Sequence, residues 1–267
     1  MKIAVLVKQV PATDKVKMDE KTGTMVRSAM EAELNPLDMY AVEEAVRVKE
    51  KFGGDAEVTA ISMGPPMAKE AIKDAISMGC DRGFLISDRM FAGADTLATA
   101  YTLSMALKKL GPFDIIFTGE RATDGETGQV GPSVAAQLGM IVFTYVSKIK
   151  ELTKETIVVE RALENGHEVV KTTLPILLSV VKEINEPRVP NLAGKMRAKR
   201  TDIPVLTMSD ILADKSKIGL EGSPTRVVKI FYPKLSRNGK IVYAKDLEKA
   251  VNELVDFLKE ELLIREA

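Results

Sequence analysis

The chain has 267 residues, about 45% of them apolar, and its 38 basic side chains balance 38 acidic ones. That length buries one large core, or a core with an appendage, while a net charge of zero argues against the basic footprint of a nucleic-acid binder and the acidic tail of a solvating segment. A lone cysteine, Cys80, excludes disulfides within the chain and thiolate clusters, and the single histidine, His167, has no neighbours to complete a zinc or iron site.

The opening run Met1–Lys8 is too short and too soon interrupted for a signal peptide, and no apolar run approaches membrane-spanning length, so a cytoplasmic protein is expected. Its apolar centre predicts a strand over Ile3–Val7. Asn35 is placed to N-cap a helix with Pro36 harmlessly in the first turn, giving a helix over Pro36–Phe52. Strands at Glu57–Ser62, Arg82–Ile86 and Asp114–Thr118 then alternate with helices at Pro66–Ser77, Thr96–Leu110 and Gly128–Leu138. In the second of these helices Ala100, Leu103, Leu107 and Leu110 recur at helical spacing. Such alternation is the pattern of a parallel sheet covered on both faces.

The alternation breaks after Gly139. Val142–Ile149, Thr156–Ala162 and Glu168–Thr173 read as strands, and Asn165-Gly166 marks a hairpin turn that extends the sheet in antiparallel fashion. A further strand is expected at Ile176–Val181. Pro187 and Pro190 stop it from continuing, and a short surface helical turn carries Leu192 and Met196 among basic residues. Residues 216–224 read as a loop, Arg226–Phe231 as a strand, and Lys245–Ile264 as a terminal helix. Leu247, Val251, Leu254, Leu258 and Leu262 form its apolar stripe, fitted to another chain or to its own domain.

Ligands of open α/β sheets bind outside the carboxyl ends of the strands. There this chain places Lys8-Gln9-Val10-Pro11, Ser62-Met63-Gly64-Pro65-Pro66, Ser87-Asp88-Arg89, and Gly119-Glu120 followed by Arg121-Ala122-Thr123-Asp124-Gly125-Glu126-Thr127-Gly128-Gln129. Ser62, Met63 and Gly64 let adenine or ribose lie close to backbone. The amides of Thr127, Gly128, Gln129 and Val130 at a helix start favour a pyrophosphate. Asp124 is either a turn residue or one that positions ribose or backbone. Neither G-x-G-x-x-G after the first strand nor G-x-x-x-x-G-K-[ST] occurs, which disfavours an ordinary dinucleotide dehydrogenase or ATPase. With one histidine and no paired carboxylates, acid–base machinery is scarce, as in a protein whose cofactor carries the chemistry.

Five stretches in order resemble the beta subunit of electron-transfer flavoprotein. They are Lys2–Pro11, Leu34–Asp38, Asp124–Pro132, the Val159–Ser179 region with Arg161, Glu164 and Pro175, and Pro187-Arg188 through Met196–Lys199. The resemblance implies a Rossmann-like sheet of the adenine nucleotide alpha-hydrolase type over residues 1–225. A strand and helical arm over 226–267 would embrace an alpha subunit that carries FAD in a mobile domain. It implies cofactor contacts at Val7, Gln9, Asn35 and Asp38, besides Ser62–Gly64, Asp124 and Thr127–Val130. In the respiratory branch of the family that crevice holds structural AMP. In the bifurcating branch it holds a second FAD, which accepts hydride from NADH.

Two stretches resemble the bifurcating branch: Thr123–Gln129, and Ser87–Thr96, which would surround the second flavin with Asp88, Asp95 and Thr96 while Arg89 stabilises reduced flavin or NADH phosphates. The resemblance also makes Pro187–Arg200 a partner-recognition loop with Leu192 or Met196 as its anchor. The expected partners are the alpha subunit, ferredoxin or flavodoxin, and an acyl-CoA dehydrogenase or quinone-reductase-type acceptor. The alternatives are a one-FAD carrier feeding a quinone reductase, with AMP in the crevice, and a non-redox nucleotide-binding signalling protein.

Overall fold

A computed structural model describes residues 1–12, 32–228 and 246–260. The chain divides into two compact units, Met1–Lys229 and Ile230–Ala267. In the first, strands β1 (Lys2–Leu6), β2 (Gln9–Pro11) and β3 (Ala32–Leu34) lead to helix α1 (Pro36–Phe52). Then follow β4 (Glu57–Met63), α2 (Lys69–Met78), β5 (Arg82–Ile86), α3 (Thr96–Leu110), β6 (Ile115–Gly119) and α4 (Val130–Leu138). The chain continues through β7 (Ile141–Leu152), β8 (Thr156–Leu163), β9 (Gly166–Thr173), β10 (Ile176–Val180), α5 (Leu192–Arg200) and β11 (Val205–Leu206).

Among the described residues nine strands form one sheet in the order β11-β5-β4-β1-β6-β10-β7-β8-β9, and β2 pairs with β3 in a separate antiparallel ribbon. All pairings from β11 to β7 are parallel, and β7-β8-β9 is the antiparallel extension expected from the sequence. Side chains alternate between two cores, as the pleat requires. Ile3, Val5 and Val7 of the first strand run pack with α1 and α2, whereas Ala4 and Leu6 pack with α3 and α4. The central strands are apolar on both sides because both sides are covered.

The caps explain where helices start. Asp95 accepts the amides of Leu97 (3.0 Å) and Ala98 (3.1 Å), fixing the start of α3 at Thr96. Asn35 is the residue before α1, but its side chain makes no cap hydrogen bond, and Pro36, which has no N–H, lies in the first turn. The helix expected from Pro66 opens as a 3₁₀ turn, Pro66–Ala68, before α2, and the one expected from Gly128 starts at Val130. The hairpin turn is Glu164-Asn165, with Gly166 (φ 140°) already paired to Leu163.

Residues 226–228 form no strand, and the rest of the strand expected at Arg226–Phe231 lies outside the described residues. In the second unit α6 spans Leu247–Glu260. Residues 261–264 of the predicted terminal helix, with Leu262 of its stripe, also lie outside them. Among the described residues no helix is long and apolar enough to cross a membrane, and no cluster of three metal-binding side chains occurs.

Candidate functional site: the crevice at the strand-order reversal

From β1 the chain first builds outward through β4 and β5, then returns to the other side of β1 with β6. The connections leaving β1 and β6 therefore diverge, opening a crevice at their carboxyl ends. Its floor is made of backbone contacts that only glycine permits. A Cβ on Gly119 would lie 2.4 Å from Asp38 Oδ1 and 2.8 Å from the Leu37 carbonyl, and one on Gly131 would lie 2.8 Å from Thr118 Oγ1. The N-termini of α1 and α4 are thereby pressed against β6.

Asn35 and Asp38 hold this floor together. Buried Asn35 donates from Nδ2 to the Arg121 carbonyl (2.9 Å) and accepts the Thr123 amide at Oδ1 (3.2 Å), so the side chain expected to cap α1 instead pins the loop after β6. Asp38 accepts the Lys8 amide at 2.8 Å and also the Gly119 amide, bridging the ends of β1 and β6 across the reversal point. Lys8 completes the bridge above them through an ion pair to Asp124 at 2.6 Å. Asp124 is thereby held by its carboxylate to the Lys8 ammonium.

Burial pushes the Asp38 carboxyl up from 3.8 to about 7 against the hydrogen bonds from Asn35, Lys8 and Gly119 and the charge of Lys8. A carboxyl whose folded value lies above its unfolded one stabilises the fold fully below the unfolded value and loses that contribution as pH rises through about 7. The loss is on the order of 4 kcal/mol between those limits. Urea unfolding of Asp38→Asn at pH 5 and pH 8 is expected to show a smaller fall in stability than the parent. Equal falls in both proteins would remove Asp38 as the cause.

The start of α4, where the sequence places a pyrophosphate, forms one side of the crevice. Gly128 adopts φ 63°, and Gln129, the residue before the helix, provides no side-chain cap. The first-turn amides, which have no partners inside a helix, are left available to an anion. Thr127, Gly128 and Gln129 line a cleft of about 240 Å³ with Glu120, Pro132, Thr144, Tyr145 and Ser179. The last three come from β7 and β10 and carry no local sequence signal, since parallel pairing of strands 35 residues apart brings them there. Tyr145 sits at φ 57°, where a register shift bends β7.

The other side is built by the ends of β4 and β5. Ser62 Oγ is buried without a hydrogen-bond partner among the described residues, at the point where the sequence places ribose or adenine. Met63 is half-buried beside it, and the Gly64 amide donates to the Ile86 carbonyl at 3.1 Å, tying the two strand ends together. Buried Val7 donates its amide to Ile61, and Gln9 reaches the Met67 carbonyl at 3.1 Å. Asp88 accepts the amides of Met90 and Met208, and Asp95 accepts the Thr225 amide besides capping α3 at Leu97 and Ala98, so both carboxylates organise loops. Arg89 is exposed and makes no ion pair among the described residues.

An orphaned hydroxyl at one end, uncapped amides at the other and an unpaired guanidinium beyond fit an anionic nucleotide. The family profile described as Electron transfer flavoprotein domain matches residues 22–211. The chain is 45% identical to an Electron transfer flavoprotein subunit beta of Thermoanaerobacterium thermosaccharolyticum, over 97% of this chain and 98% of that one. It is 41% identical to the Caffeyl-CoA reductase-Etf complex subunit CarD of Acetobacterium woodii, over 99% and 100%. It is also 41% identical to Protein FixA of Azotobacter vinelandii, over 92% and 89%. The Rossmann-like sheet, the profile match and these full-length likenesses together make the chain a member of the electron transfer flavoprotein family, of the beta-subunit type.

Proposed function

We propose that this chain pairs with an alpha subunit and that its crevice binds FAD, takes hydride from NADH and divides the two electrons. One would go to ferredoxin or flavodoxin, the other through the FAD of the alpha subunit to an acyl-CoA dehydrogenase. The observation that carries the reading is the reach of the crevice. From the amides that start α4, after β6, to Arg89, after β5, lie three strand spacings, about 14 Å, room for a nucleotide that meets polar groups at both ends. The likeness to a subunit named for a caffeyl-CoA reductase complex supports an acyl-CoA-handling partner.

When bound, the flavin supplies hydride acceptance and the release of single electrons. The chain's own residues do the rest. Thr127, Gly128 and Gln129 would hold the diphosphate, and Ser62 the ribose. Arg89 would compensate negative charge at the far end, and Asn35, Asp38 and Lys8 would keep the two walls in register. Outside the crevice, no residue of α6 is buried within the described part of its unit. Leu247, Val251 and Leu254 form one exposed stripe on it, suited to the alpha subunit.

Extraction of the purified heterodimer tests the reading. About two FAD per heterodimer, one in each subunit, are expected for a protein in which cofactors carry both transfers. One FAD with bound AMP would instead identify the one-flavin carrier, and a colourless protein without an alpha companion would identify a non-redox nucleotide binder.

A further inference from the structure

The segment read as partner-docking, residues 187–200, is fastened at two places, to α1 and to α2. At the first, Arg188 reaches α1: its Nε donates to Glu43 (2.7 Å), its backbone amide to the same carboxylate (3.1 Å), and its terminal nitrogens to Glu50 (2.6 and 3.0 Å). Glu43 is almost fully buried and also accepts Arg47 Nε at 2.6 Å. Asn185, just upstream, donates to the Tyr40 carbonyl and to Glu44 on the same helix. At the second place, Arg197 donates to the Ile76 carbonyl at 2.6 Å, and Gly194 lies so close to the end of α2 that a Cβ would fall 2.2 Å from the Ser77 carbonyl oxygen.

Those contacts use up two of the segment's basic groups. Lys195, Lys199 and Arg200 remain exposed on α5, beside Leu192 and Met196, which are one helical turn apart and 77% and 43% exposed. Both apolar candidates thus fall on one face of one helix. Burial opposes the charge of Glu43, and the hydrogen bonds from Arg188 and Arg47 outweigh it, so the carboxyl titrates below its usual range. The clamp is therefore ionised at neutral pH.

We propose that Glu43 is the positioning residue of the docking segment. With Arg188 held by Glu43 and Arg197 by the Ile76 carbonyl, the basic groups of 187–200 divide into these two that hold the segment and three that meet the partner, Lys195, Lys199 and Arg200. The proposal rests on the reading of 187–200 as the docking segment. A holding charge and a meeting charge differ in salt dependence, because a neutralised, partly buried pair is screened little and an exposed steering charge strongly.

The test measures the apparent KM of the whole heterodimer for an acyl-CoA dehydrogenase between low and moderate salt. Glu43→Gln and Arg188→Gln are each expected to raise KM about tenfold at every salt concentration, with kcat within about twofold of the parent and an unchanged salt slope. The double variant should cost little more than either single one. Lys199→Gln should raise KM at low salt only, flattening the slope. Arg188→Lys keeps the charge while losing the fork to Glu43 and Glu50, so it should shift KM without changing the slope even if Glu43→Gln folds poorly.

A flattened slope in Arg188→Gln, or an unchanged KM in folded Glu43→Gln, would overturn the proposal. Leu192→Ser/Met196→Ser separates the two levels. If it raises KM while the Glu43 and Arg188 variants do not, the docking reading stands and the positioning role falls. If it leaves KM unchanged, the docking reading fails and takes the proposal with it.

Discussion

Arg89→Ala is expected to slow NADH-dependent flavin reduction by about 10- to 100-fold, the kinetic equivalent of losing a charge-assisted hydrogen bond of about 1.5–3 kcal/mol. Heterodimer yield and bound FAD should stay at parental levels. Arg89 heads a 3₁₀ turn at the end of β5, where Asp88 fixes the turn by accepting the Met90 amide at 3.0 Å and ties it to the Met208 amide at 3.1 Å. The guanidinium is therefore carried on a braced backbone, yet makes no ion pair among the described residues. Its removal breaks no structural contact described for the chain, so a loss confined to reduction would place it against the reacting groups. Arg89→Lys, which keeps the charge and loses the planar fork, should recover part of the rate. Stopped-flow reduction under anaerobic conditions measures both variants. If FAD retention or heterodimer formation falls as far as the rate, Arg89 belongs to the scaffold and the assignment is wrong.

Much of the fold was legible because local and global signals agree at the same residues. α1 and α3 occupy the predicted ranges, Pro36–Phe52 and Thr96–Leu110, and β5 occupies Arg82–Ile86. At α3 the helical period of Ala100, Leu103, Leu107 and Leu110 coincides with the strand–helix alternation around it. The β2-β3 ribbon was not legible, because three-residue strands have no usable period and their pairing joins residues more than 20 positions apart. Asn35 illustrates a subtler miss: its type and position fit an N-cap, but a buried amide is satisfied by whichever partner tertiary packing supplies, here the loop 86–88 residues downstream.

The crevice follows the same division. Its parallel-strand ends and the Thr127–Gln129 amides follow from alternation and glycine placement, so the sequence marks them. Thr144, Tyr145 and Ser179 enter only through the β10-β7 pairing. The clamp of Glu43 on Arg188 joins residues 145 positions apart, and nothing near either one announces it.

Gly119→Ala is expected to damage the fold and the crevice floor together. The added carbon would meet Asp38 Oδ1 at 2.4 Å and the backbone carbon and oxygen of Leu37 at 2.8 Å. No rotamer change relieves a clash with backbone, so β6 or the start of α1 must move, and overpacking of this kind costs about 3 kcal/mol. For a unit of this size that lowers Tm by about 9 °C. The displacement falls on the Asp38 bridge and on the Asn35 pin three residues away, so the two walls of the crevice separate and nucleotide retention should fall together with Tm. Gly125→Ala is the matching control in the same loop region: a Cβ there meets nothing within 4 Å, and both properties should stay at the parental level. Calorimetry and nucleotide extraction on the two variants decide the matter. A Gly119→Ala protein that melts within about 2 °C of the parent, a shift worth less than about 1 kcal/mol, would mean that α1 can shift freely against β6. In that case the reversal-point floor is not the rigid base that the proposed nucleotide site requires.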